Sequence, residues 1–400
     1  MNLTSSHPFW SVNNGLPATY PSLQRDVACD AVVIGGGITG ALAAFHLAEA
    51  GVKTLVLDQR EIGTGSTSAS TALLQYEIDV PLRELVKRIG PAGAERSYKL
   101  CCGAIGKLER LAARLKSKCG FERKTSLFLA RHQREIPDLR EEFELRRKIG
   151  LKLEFFDSAA ILERFPFSRP AALYSQDGGQ MDPHRFTHGL FAAGKADGLE
   201  VYDRTKMVRM DETGRGVRIT TENGCVITAR RAVMAAGFES KAILKTGAGT
   251  LKSTYALISE PLAELPGWHQ RCLIWESGSP YLYLRTTTEG RIIVGGEDED
   301  FVNAKRRDAL ISRKTRTLVK KFGRLFPNLK LEVAYAWAGT FGETKDGLAY
   351  IGVHPRFPHA YFALGYGGNG ITYSVIAAEI IRDHFLGRPN RDAHLFRFDR

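Results

Sequence analysis

The chain of 400 residues lacks the features that mark several classes of protein. No apolar run approaches the ~20 residues that a helix needs to span a bilayer, and the N-terminal region is polar and contains proline, without the apolar core of a secretory signal. The six cysteines include no Cys-x-x-Cys pair and no Cys/His cluster with zinc spacing, so neither a redox dithiol nor a structural metal is indicated. We therefore expect a soluble, cytoplasmic protein that has no transmembrane segment and holds no metal.

The sequence also has little acid relative to base, with a net charge of +12. Much of the excess lies in residues 96–118 and 305–324, where apolar side chains at helical spacing predict amphipathic helices with basic outer faces. Such faces are ordinarily solvated. The alternative is a patch for an anionic partner, which could be an acidic substrate, a nucleic acid or a lipid surface.

The strongest positive signal lies in residues 30–58. An apolar run predicts a buried parallel strand, Gly35, Gly37 and Gly40 follow it with the spacing GxGxxG, and residues 41–50 predict a helix. Gly35 permits the tight turn, Gly37 lets the backbone approach a pyrophosphate, and Gly40 lets the helix pack on the strand. The helix N-terminus, with free N–H groups and a positive dipole, is suited to the phosphates.

Asp58 ends the next predicted strand, where a carboxylate is placed to accept hydrogen bonds from a ribose diol. The small, hydroxyl-rich loop that follows, residues 62–72, is suited to wrapping phosphate and ribitol oxygens. No second GxGxxG follows a later strand, which argues against a disulfide reductase that binds two dinucleotides.

The later chain contains several further predicted elements. Strands are predicted over residues 199–210 and 226–237, an antiparallel sheet over 251–297, and a helix from residue 371 after the glycine-rich loop 365–370. A second glycine-rich junction between strand and helix, this far from the first, indicates that both chain ends build one site. We therefore expect a discontinuous cofactor domain.

Several ordered motifs identify a family. They are residues 32–40, 65–68, 181–183, 235–237, 290–296, 337–339, 344–347 and 367–370. Together they resemble the D-amino-acid oxidase-type family of FAD-dependent amine and amino-acid oxidoreductases, over nearly the whole chain from about Leu23. Within that family the chain looks most like the branch of glycine oxidase, gamma-glutamylputrescine oxidoreductase and sarcosine oxidase.

The resemblance implies an α/β fold, with a discontinuous Rossmann-like FAD-binding domain and an α+β substrate domain that contains an antiparallel sheet. We expect the FAD-binding domain to comprise residues 1–82, 180–248 and 335–400, and the substrate domain to comprise residues 83–179 and 249–334. The implied reaction is hydride transfer from an amine-bearing carbon to flavin N5, giving an imine that water hydrolyses.

The implied cofactor is non-covalent FAD. Family members that tether FAD use a cysteine in the C-terminal part or a histidine just after Gly-Ser-Thr, but here the last cysteine is Cys272 and Thr67 is followed by Ser68 and Ala69. The residues that the resemblance assigns to FAD binding are Gly35, Gly37, Ile38, Thr39, Gly40, Asp58, Gln59, Gly65, Ser66, Thr67, Ser68, Val208, Ala236, Gly237, Gly367, Gly368, Asn369, Gly370 and Ile371.

Departures from the family pattern bear on the substrate and the electron acceptor. Phe341 stands where glycine oxidase and D-amino-acid oxidase relatives have an arginine for the substrate carboxylate, which favours an amine over a simple α-amino acid. Arg285 is the nearest alternative anchor, with a structural role as the other interpretation. Ile293 aligns with the oxygen-activating lysine of sarcosine oxidases, so oxidase and dehydrogenase are both open, and the acceptor is either O2 or a partner carrier.

Aromatic residues of the predicted sheet are candidates for the wall of the substrate pocket. Tyr255 and Tyr283, with Trp275 and Tyr281, could attract a cationic amine through their ring faces, and ordinary sheet packing is the alternative. The leading hypothesis is an FAD-dependent amine or amino-acid oxidase or dehydrogenase. Its alternatives are a module that acts on a modified base of transfer RNA, whose phosphates would suit the basic faces, and a subunit that passes electrons to a partner.

Overall fold

The computed structural model describes residues 4–115, 118–244, 249–278 and 280–400. Its α-helices are α1 (Phe9–Asn14), α2 (Ile38–Glu49), α3 (Ser66–Ala69), α4 (Leu82–Arg114), α5 (Ile136–Lys148), α6 (Ser158–Arg164), α7 (Pro183–Gly194), α8 (Ser240–Leu244), α9 (Ala304–Ala309), α10 (Ile311–Leu325) and α11 (Gly370–Phe385). Its strands are β1 (Thr4–Ser6), β2 (Val27–Ile34), β3 (Thr54–Leu57), β4 (Leu73–Leu74), β5 (Glu122–Leu129), β6 (Leu153–Asp157), β7 (Ala171–Gln180), β8 (Glu200–Tyr202), β9 (Met207–Thr213), β10 (Gly216–Thr221), β11 (Val226–Met234), β12 (Thr250–Ser259), β13 (Leu273–Glu276), β14 (Leu282–Thr286), β15 (Ile292–Glu299), β16 (Val333–Glu343), β17 (Tyr350–His354) and β18 (Phe357–Leu364).

One sheet of the described chain has eight strands, in the order β17-β18-β11-β2-β3-β8, with the β9–β10 hairpin joined to β11. The strands from β18 to β8 run parallel. Ala31 and Val33 of β2 pack with α2 on one face of this sheet, while Val32 and Ile34 pack in a second core on the other face. A strand that is buried on both faces is apolar at every position, which explains the continuous apolar run before the glycines.

The other sheet has ten strands, in the order β1-β16-β12-β15-β14-β13-β5-β7-β4, with β6 beside β7. Neighbouring strands are antiparallel except β13 and β5. On one face, Leu318 and Phe322 of α10 pack in a core with Tyr255. On the opposite face, Ile293 and Trp337 pack against α1. This mixture of a parallel and an antiparallel sheet confirms the expected fold class.

The two segments predicted to form helices with basic faces are helical, but residues 305–324 form two helices, α9 and α10, and residues 96–114 belong to the longer α4. Residues 116 and 117 of the first segment lie outside the described residues. α4 bends at Gly90, which has a φ of 80°. On α10, Lys314 Nζ lies 2.6 Å from Glu299 Oε1 and Lys321 Nζ lies 2.5 Å from Glu297 Oε1, so acidic side chains of β15 neutralise part of the charge of α10. Within the described residues, no helix combines the length and apolar composition needed to cross a membrane.

The segment expected to form one strand over residues 199–210 forms two, β8 and β9. The chain turns between them, where Arg204 has a φ of 42° and the Thr205 N–H donates to the Asp58 carbonyl at 2.7 Å. β8 therefore pairs with β3 in the parallel part of the sheet, while β9 is the outer strand of the hairpin that joins the same sheet through β10.

The chain segments that form each sheet also differ from the segments expected to form each domain. The boundary at 334/335 falls inside β16, which pairs with β12 from Val333 to Glu343 and so belongs to the ten-stranded sheet. β1 and β4, from the expected FAD-binding segment 1–82, belong to that sheet as well. In the other direction, α4 packs against α11 in the core beside the eight-stranded sheet. Each half of the structure therefore includes elements from a segment that was expected to form the other domain.

Candidate functional site

A cavity of about 680 Å³ is lined by residues from both sheets. The end of β2, the loop after β3, the turn after β11 and the loop before α11 line one part of it. The strands β12, β14 and β16 contribute another part. The two glycine-rich junctions of the sequence therefore meet at one cavity.

The first turn of α2 presents Gly37, Ile38 and Thr39 to the cavity. The Ile38 N–H donates to Thr67 Oγ1 at 2.9 Å, which fastens the loop containing Gly65 to this helix terminus. A Cβ on Gly37 would meet only Thr67 Oγ1, at 3.0 Å, so a larger side chain would extend into the cavity. Helix N-termini favour anions, which makes this turn suited to a diphosphate.

Two other glycines of the motif serve close packing. A Cβ on Gly35, whose φ is 114°, would overlap the Ala235 carbonyl, and a Cβ on Gly40 would overlap the Gly35 carbonyl. The absence of side chains therefore brings β2, α2 and the turn containing Ala236 close together. Gly40 does not line the cavity, so its contribution to cofactor binding is indirect.

Asp58 lies at the end of β3 and lines the cavity. Its Oδ2 accepts the Gly36 N–H at 2.7 Å and its Oδ1 accepts the Arg60 N–H at 2.8 Å. Burial raises the pKa of this carboxyl, and the two backbone hydrogen bonds oppose that effect. The carboxylate is therefore fixed by two loops while it faces the space where a ribose diol would bind.

Besides Gly40, three residues assigned to FAD binding from the sequence do not line the cavity. The Gln59 side chain is exposed and donates to Glu239, and Ser68 is buried with its hydroxyl donating to the Gly65 carbonyl. Val208 is 53% exposed on β9. Val208 lies in the β9–β10 hairpin and does not line the cavity, and a contact of this residue with FAD stays a prediction.

The second glycine-rich loop lies at the N-terminus of α11, and Gly367, Gly368, Asn369, Gly370 and Ile371 line the cavity. Asn369 Nδ2 donates to the carbonyls of residues 75 and 77, at 3.2 and 2.7 Å. These bonds hold the loop against the segment that follows β4. The backbone N–H groups at this helix terminus are suited to an acidic ring system.

An aromatic wall forms the opposite part of the cavity. Trp275 stacks on Phe128 with ring centroids 3.9 Å apart, and the rings of Tyr281 and Tyr283 lie 5.6 Å apart. A Cβ on Gly295 would overlap the Tyr283 ring, so the glycine permits this ring to lie flat against β15. Phe341 and Trp337 also line the cavity.

Two predicted pocket residues have other roles. Tyr255 lines the cavity, but its ring packs in the core beneath α10, with Lys314 Nζ 5.5 Å from the ring centroid. Arg285 is 1% exposed, and its guanidinium donates to the carbonyls of Thr71, Thr286 and Met181 at 2.5, 3.3 and 3.1 Å. Each of the three guanidinium nitrogens thus donates to a carbonyl, and Arg285 does not line the cavity, which favours the structural role over that of a carboxylate anchor.

Charged side chains on the cavity wall were missed by the sequence reasoning. They are Arg60, Glu77, Asp79, Arg146, Lys252, Glu276 and Glu343. Each cation among them is paired: Arg60 with Glu239 at 2.8 Å, Arg146 with Glu142 at 2.7 Å, and Lys252 with Glu343 at 3.0 Å. These residues lie in no motif, and only the pairing of distant strands brings them together.

Both the polar groups and the glycines of the cavity wall are suited to FAD. A helix N-terminus faces the place for a diphosphate, a fixed carboxylate faces the place for a ribose, and a second helix terminus lies beside an aromatic wall. Within the described residues, no group of three or more His, Cys, Asp or Glu side chains is placed to hold a metal ion.

Comparison with known proteins agrees with this geometry. Residues 30–384 match the family described as FAD dependent oxidoreductase (DAO). The chain is 28% identical to the gamma-glutamylputrescine oxidoreductase of Escherichia coli K12, covering 97% of this chain and 90% of that protein. It is 26% identical to the glycine oxidase of Bacillus licheniformis, covering 90% and 94% of the two chains.

Solved structures share the fold. The glycine oxidase of Geobacillus kaustophilus superposes with a TM-score of 0.74 at 21% identity, covering 91% of this chain and 96% of that one. The L-proline dehydrogenase of P. horikoshii gives the same TM-score at 20% identity, covering 94% and 97%. With a family match that spans most of the sequence, the chain belongs to the DAO family of FAD-dependent oxidoreductases and is an FAD-dependent enzyme.

Proposed function

We propose that the protein oxidises the C–N bond of an amine, and that it prefers amines to simple α-amino acids. The charge of the cavity wall carries this proposal, because each of its cations is already paired with a carboxylate and Arg285 is occupied by carbonyls. A substrate carboxylate would enter without a partner and lose several kcal/mol of hydration. An amine would instead meet aromatic faces and carboxylates.

The residues that we propose for FAD binding are those that line the cavity at its glycine-rich parts. They are Gly35, Gly37, Ile38, Thr39, Asp58, Gly65, Ser66, Thr67, Ala236, Gly237, Gly367, Gly368, Asn369, Gly370 and Ile371. When bound, FAD supplies the two-electron acceptor for the substrate, and we propose that it is held non-covalently. The chain itself binds the amine against Tyr281 and Tyr283 and excludes water with its aromatic wall.

The names of the relatives support an amino compound as substrate. Both gamma-glutamylputrescine and glycine carry an amino group, and relatives named for each align over nine-tenths or more of this chain. Proteins of similar fold are named both oxidase and dehydrogenase. We therefore propose either O2 or a partner carrier as the final electron acceptor.

Anaerobic bleaching of the holoenzyme by candidate substrates tests the proposal. We expect primary and N-methylated amines to reduce the flavin much faster than glycine, D-alanine or proline. Phe341→Arg supplies a guanidinium to the cavity wall and should shift this preference toward amino acids, because a carboxylate then has a partner. Fast bleaching of the wild-type protein by glycine or D-alanine would contradict the preference for amines.

A further inference from the structure

The cavity carries more negative than positive charge on the wall formed by β12, β16 and the segment after β4. Lys252 Nζ is 3.0 Å from Glu343 and 3.4 Å from the exposed Asp300. Asp79 lines the cavity on the same side, and Asp298 lies close enough to influence it electrostatically. When all of these groups are ionised, the three carboxylates of Asp79, Asp298 and Glu343 and the one ammonium of Lys252 give a net charge of minus two.

Asp79 and Glu343 are the carboxylates of this group that line the cavity, and Glu343 is already paired with Lys252. The Oδ2 atom of Asp79 accepts the Gly368 N–H at 2.8 Å, in the glycine-rich loop before α11, and the residue lines the cavity. No Lys, Arg or His of the described residues lies within ion-pair distance of it. Desolvation within the cavity wall raises the pKa of Asp79 to about 6. The Gly368 hydrogen bond and the charge of Lys252 oppose this shift, and the charges of Glu343 and Asp298 add to it.

Asp298 strengthens the negative field from behind the tyrosines. Its Oδ1 is buried and has no hydrogen-bond partner among the described residues. Burial raises its pKa to about 6, against the effect of a hydrogen bond with Thr254. Thr254, Tyr281 and Tyr283 line the cavity in front of it.

A second buried acceptor lies on the same chain segment as Asp79. Glu77 is 5% exposed and lines the cavity. Its Oε1 accepts from Ser126 and Arg146, both at 3.4 Å, whereas its Oε2 has no hydrogen-bond partner in the described structure. A buried carboxylate oxygen without a donor costs free energy unless a ligand satisfies it.

We propose that the cavity selects a diamine or polyamine, in which one nitrogen remains protonated beside Asp79 while another is oxidised. The nitrogen next to the oxidised carbon must be neutral, because its lone pair forms the C=N bond of an iminium ion as the C–H bond breaks. Both electrons of that bond leave as hydride, for which FAD would be the two-electron acceptor. A nitrogen held as ammonium by a carboxylate therefore cannot be the reacting one. The proposal rests on the proposed amine oxidation, and it makes Asp79 a specificity-determining residue.

Three substrates of matched length separate the contribution of the second charge. Putrescine has two amines, N-acetylputrescine has the same chain with one amine blocked, and n-butylamine lacks the second nitrogen. In anaerobic stopped-flow bleaching of the holoenzyme, we expect putrescine to exceed the other two in the ratio of limiting rate to dissociation constant by about tenfold or more, since a hydrogen bond to a charged group has that size.

Asp79→Asn keeps the shape and an acceptor for the Gly368 N–H but removes the charge. It should abolish the preference, so that putrescine and n-butylamine bleach the flavin of this variant with similar ratios of limiting rate to dissociation constant. Asp300→Asn is the matched control, because this carboxylate is exposed and lies outside the cavity, and its effect should stay within about twofold. Flavin content and the visible spectrum verify that each variant retains FAD, and Asp298→Asn replaces Asp79→Asn if that variant does not.

The outcomes distinguish this inference from the proposed function. If n-butylamine or N-acetylputrescine bleaches the flavin as efficiently as putrescine, or if Asp79→Asn and Asp298→Asn both keep the preference, the diamine inference is overturned and amine oxidation stands. If no amine bleaches the flavin and amino acids do, both proposals fail together.

Discussion

Asp58 shows how one carboxylate at a strand end organises a nucleotide site. Both of its oxygens accept backbone N–H groups, one from the glycine motif and one from the loop after β3. Its position therefore depends on two loops that are distant from each other in the sequence. The sequence predicted its contact with a ribose, but the contact with Gly36 follows only from the turn geometry.

We expect Asp58→Ala to weaken FAD binding by about ten- to a hundred-fold, because it removes a charged acceptor worth roughly 1.5–3 kcal/mol. The dissociation constant is measured by titrating the apoprotein with FAD and following the quenching of flavin fluorescence. Asp211→Ala, on the β9–β10 hairpin, is the control and should leave the constant unchanged. An unchanged constant for Asp58→Ala would mean that another residue binds the ribose.

Arg285 gives a prediction about stability. Its buried guanidinium donates to three carbonyls and lies 5.3 Å from the Trp10 ring centroid. Burial lowers its pKa to about 10, so it stays protonated at neutral pH. Arg285→Leu would leave these carbonyls without donors, and we expect a loss of several kcal/mol in the free energy of unfolding.

Chemical denaturation measures that loss. The substrate preference of the folded variant is measured as well, to test whether Arg285 also binds substrate. Since Arg285 does not line the cavity, the ratio of amine to amino-acid reduction rates should be the same in Arg285→Leu and wild type. A selective loss of activity toward carboxylate substrates would instead make Arg285 a substrate anchor.

At the scale of elements, α7 combines a well-capped N-terminus with two buried histidines. Asp182 Oδ1 accepts the N–H groups of His184 and Arg185, at 2.9 and 3.0 Å. The rings of His184 and His188 lie 4.8 Å apart. Both Nε2 atoms are buried without a hydrogen-bond partner in the described residues and lie near Gly63. The helix thus places two neutral imidazoles against the loop that precedes α3.

This geometry predicts acid sensitivity. Burial lowers the pKa of His184 and of His188 to about 4, from an ordinary value of 6.5. Between these pH values the unfolded chain binds protons that the folded protein does not, so stability is present above pH 6.5 and falls as the pH decreases toward 4. The loss is on the order of 3 kcal/mol per histidine when complete.

Urea unfolding between pH 7 and pH 4.5 measures this dependence. His188→Gln should flatten it, whereas His7→Gln should not, because His7 is exposed. The same slope in His188→Gln and wild type would show that carboxylates alone cause the acid sensitivity.

Elements near the glycine motif could be predicted because their sequence determines them locally. The run before Gly35 reads as a strand because both of its faces are buried, and α2 begins at Ile38, directly after Gly37. The turn between β8 and β9 was not predictable, since it is held by a bond from Thr205 to the Asp58 carbonyl and by a positive φ at Arg204. The charged wall was missed for the same reason, because β12, β16 and the segment after β4 meet only in the folded chain.

At the scale of the whole molecule, the cavity connects segments from both ends of the chain. The proposed FAD site draws on the start of α2, the turn after β11 and the loop before α11. Neither Ser68 nor Ala69, just after Gly-Ser-Thr, offers the nucleophile for a covalent tether. A ligand that bridges these segments should stabilise their mutual arrangement only while it is bound.

This connection gives a prediction for the intact protein. If FAD is non-covalent, acid precipitation should release it into the supernatant, and the melting temperature of the apoprotein should rise with FAD concentration. Free ligand at 100 times its dissociation constant stabilises the folded state by about 2.7 kcal/mol. Differential scanning calorimetry across a series of FAD concentrations measures the rise, with riboflavin as the control, since it lacks the diphosphate and adenosine that α2 and Asp58 would bind. Flavin that stays with the precipitated chain, or a melting temperature independent of added FAD, would contradict non-covalent binding at this site.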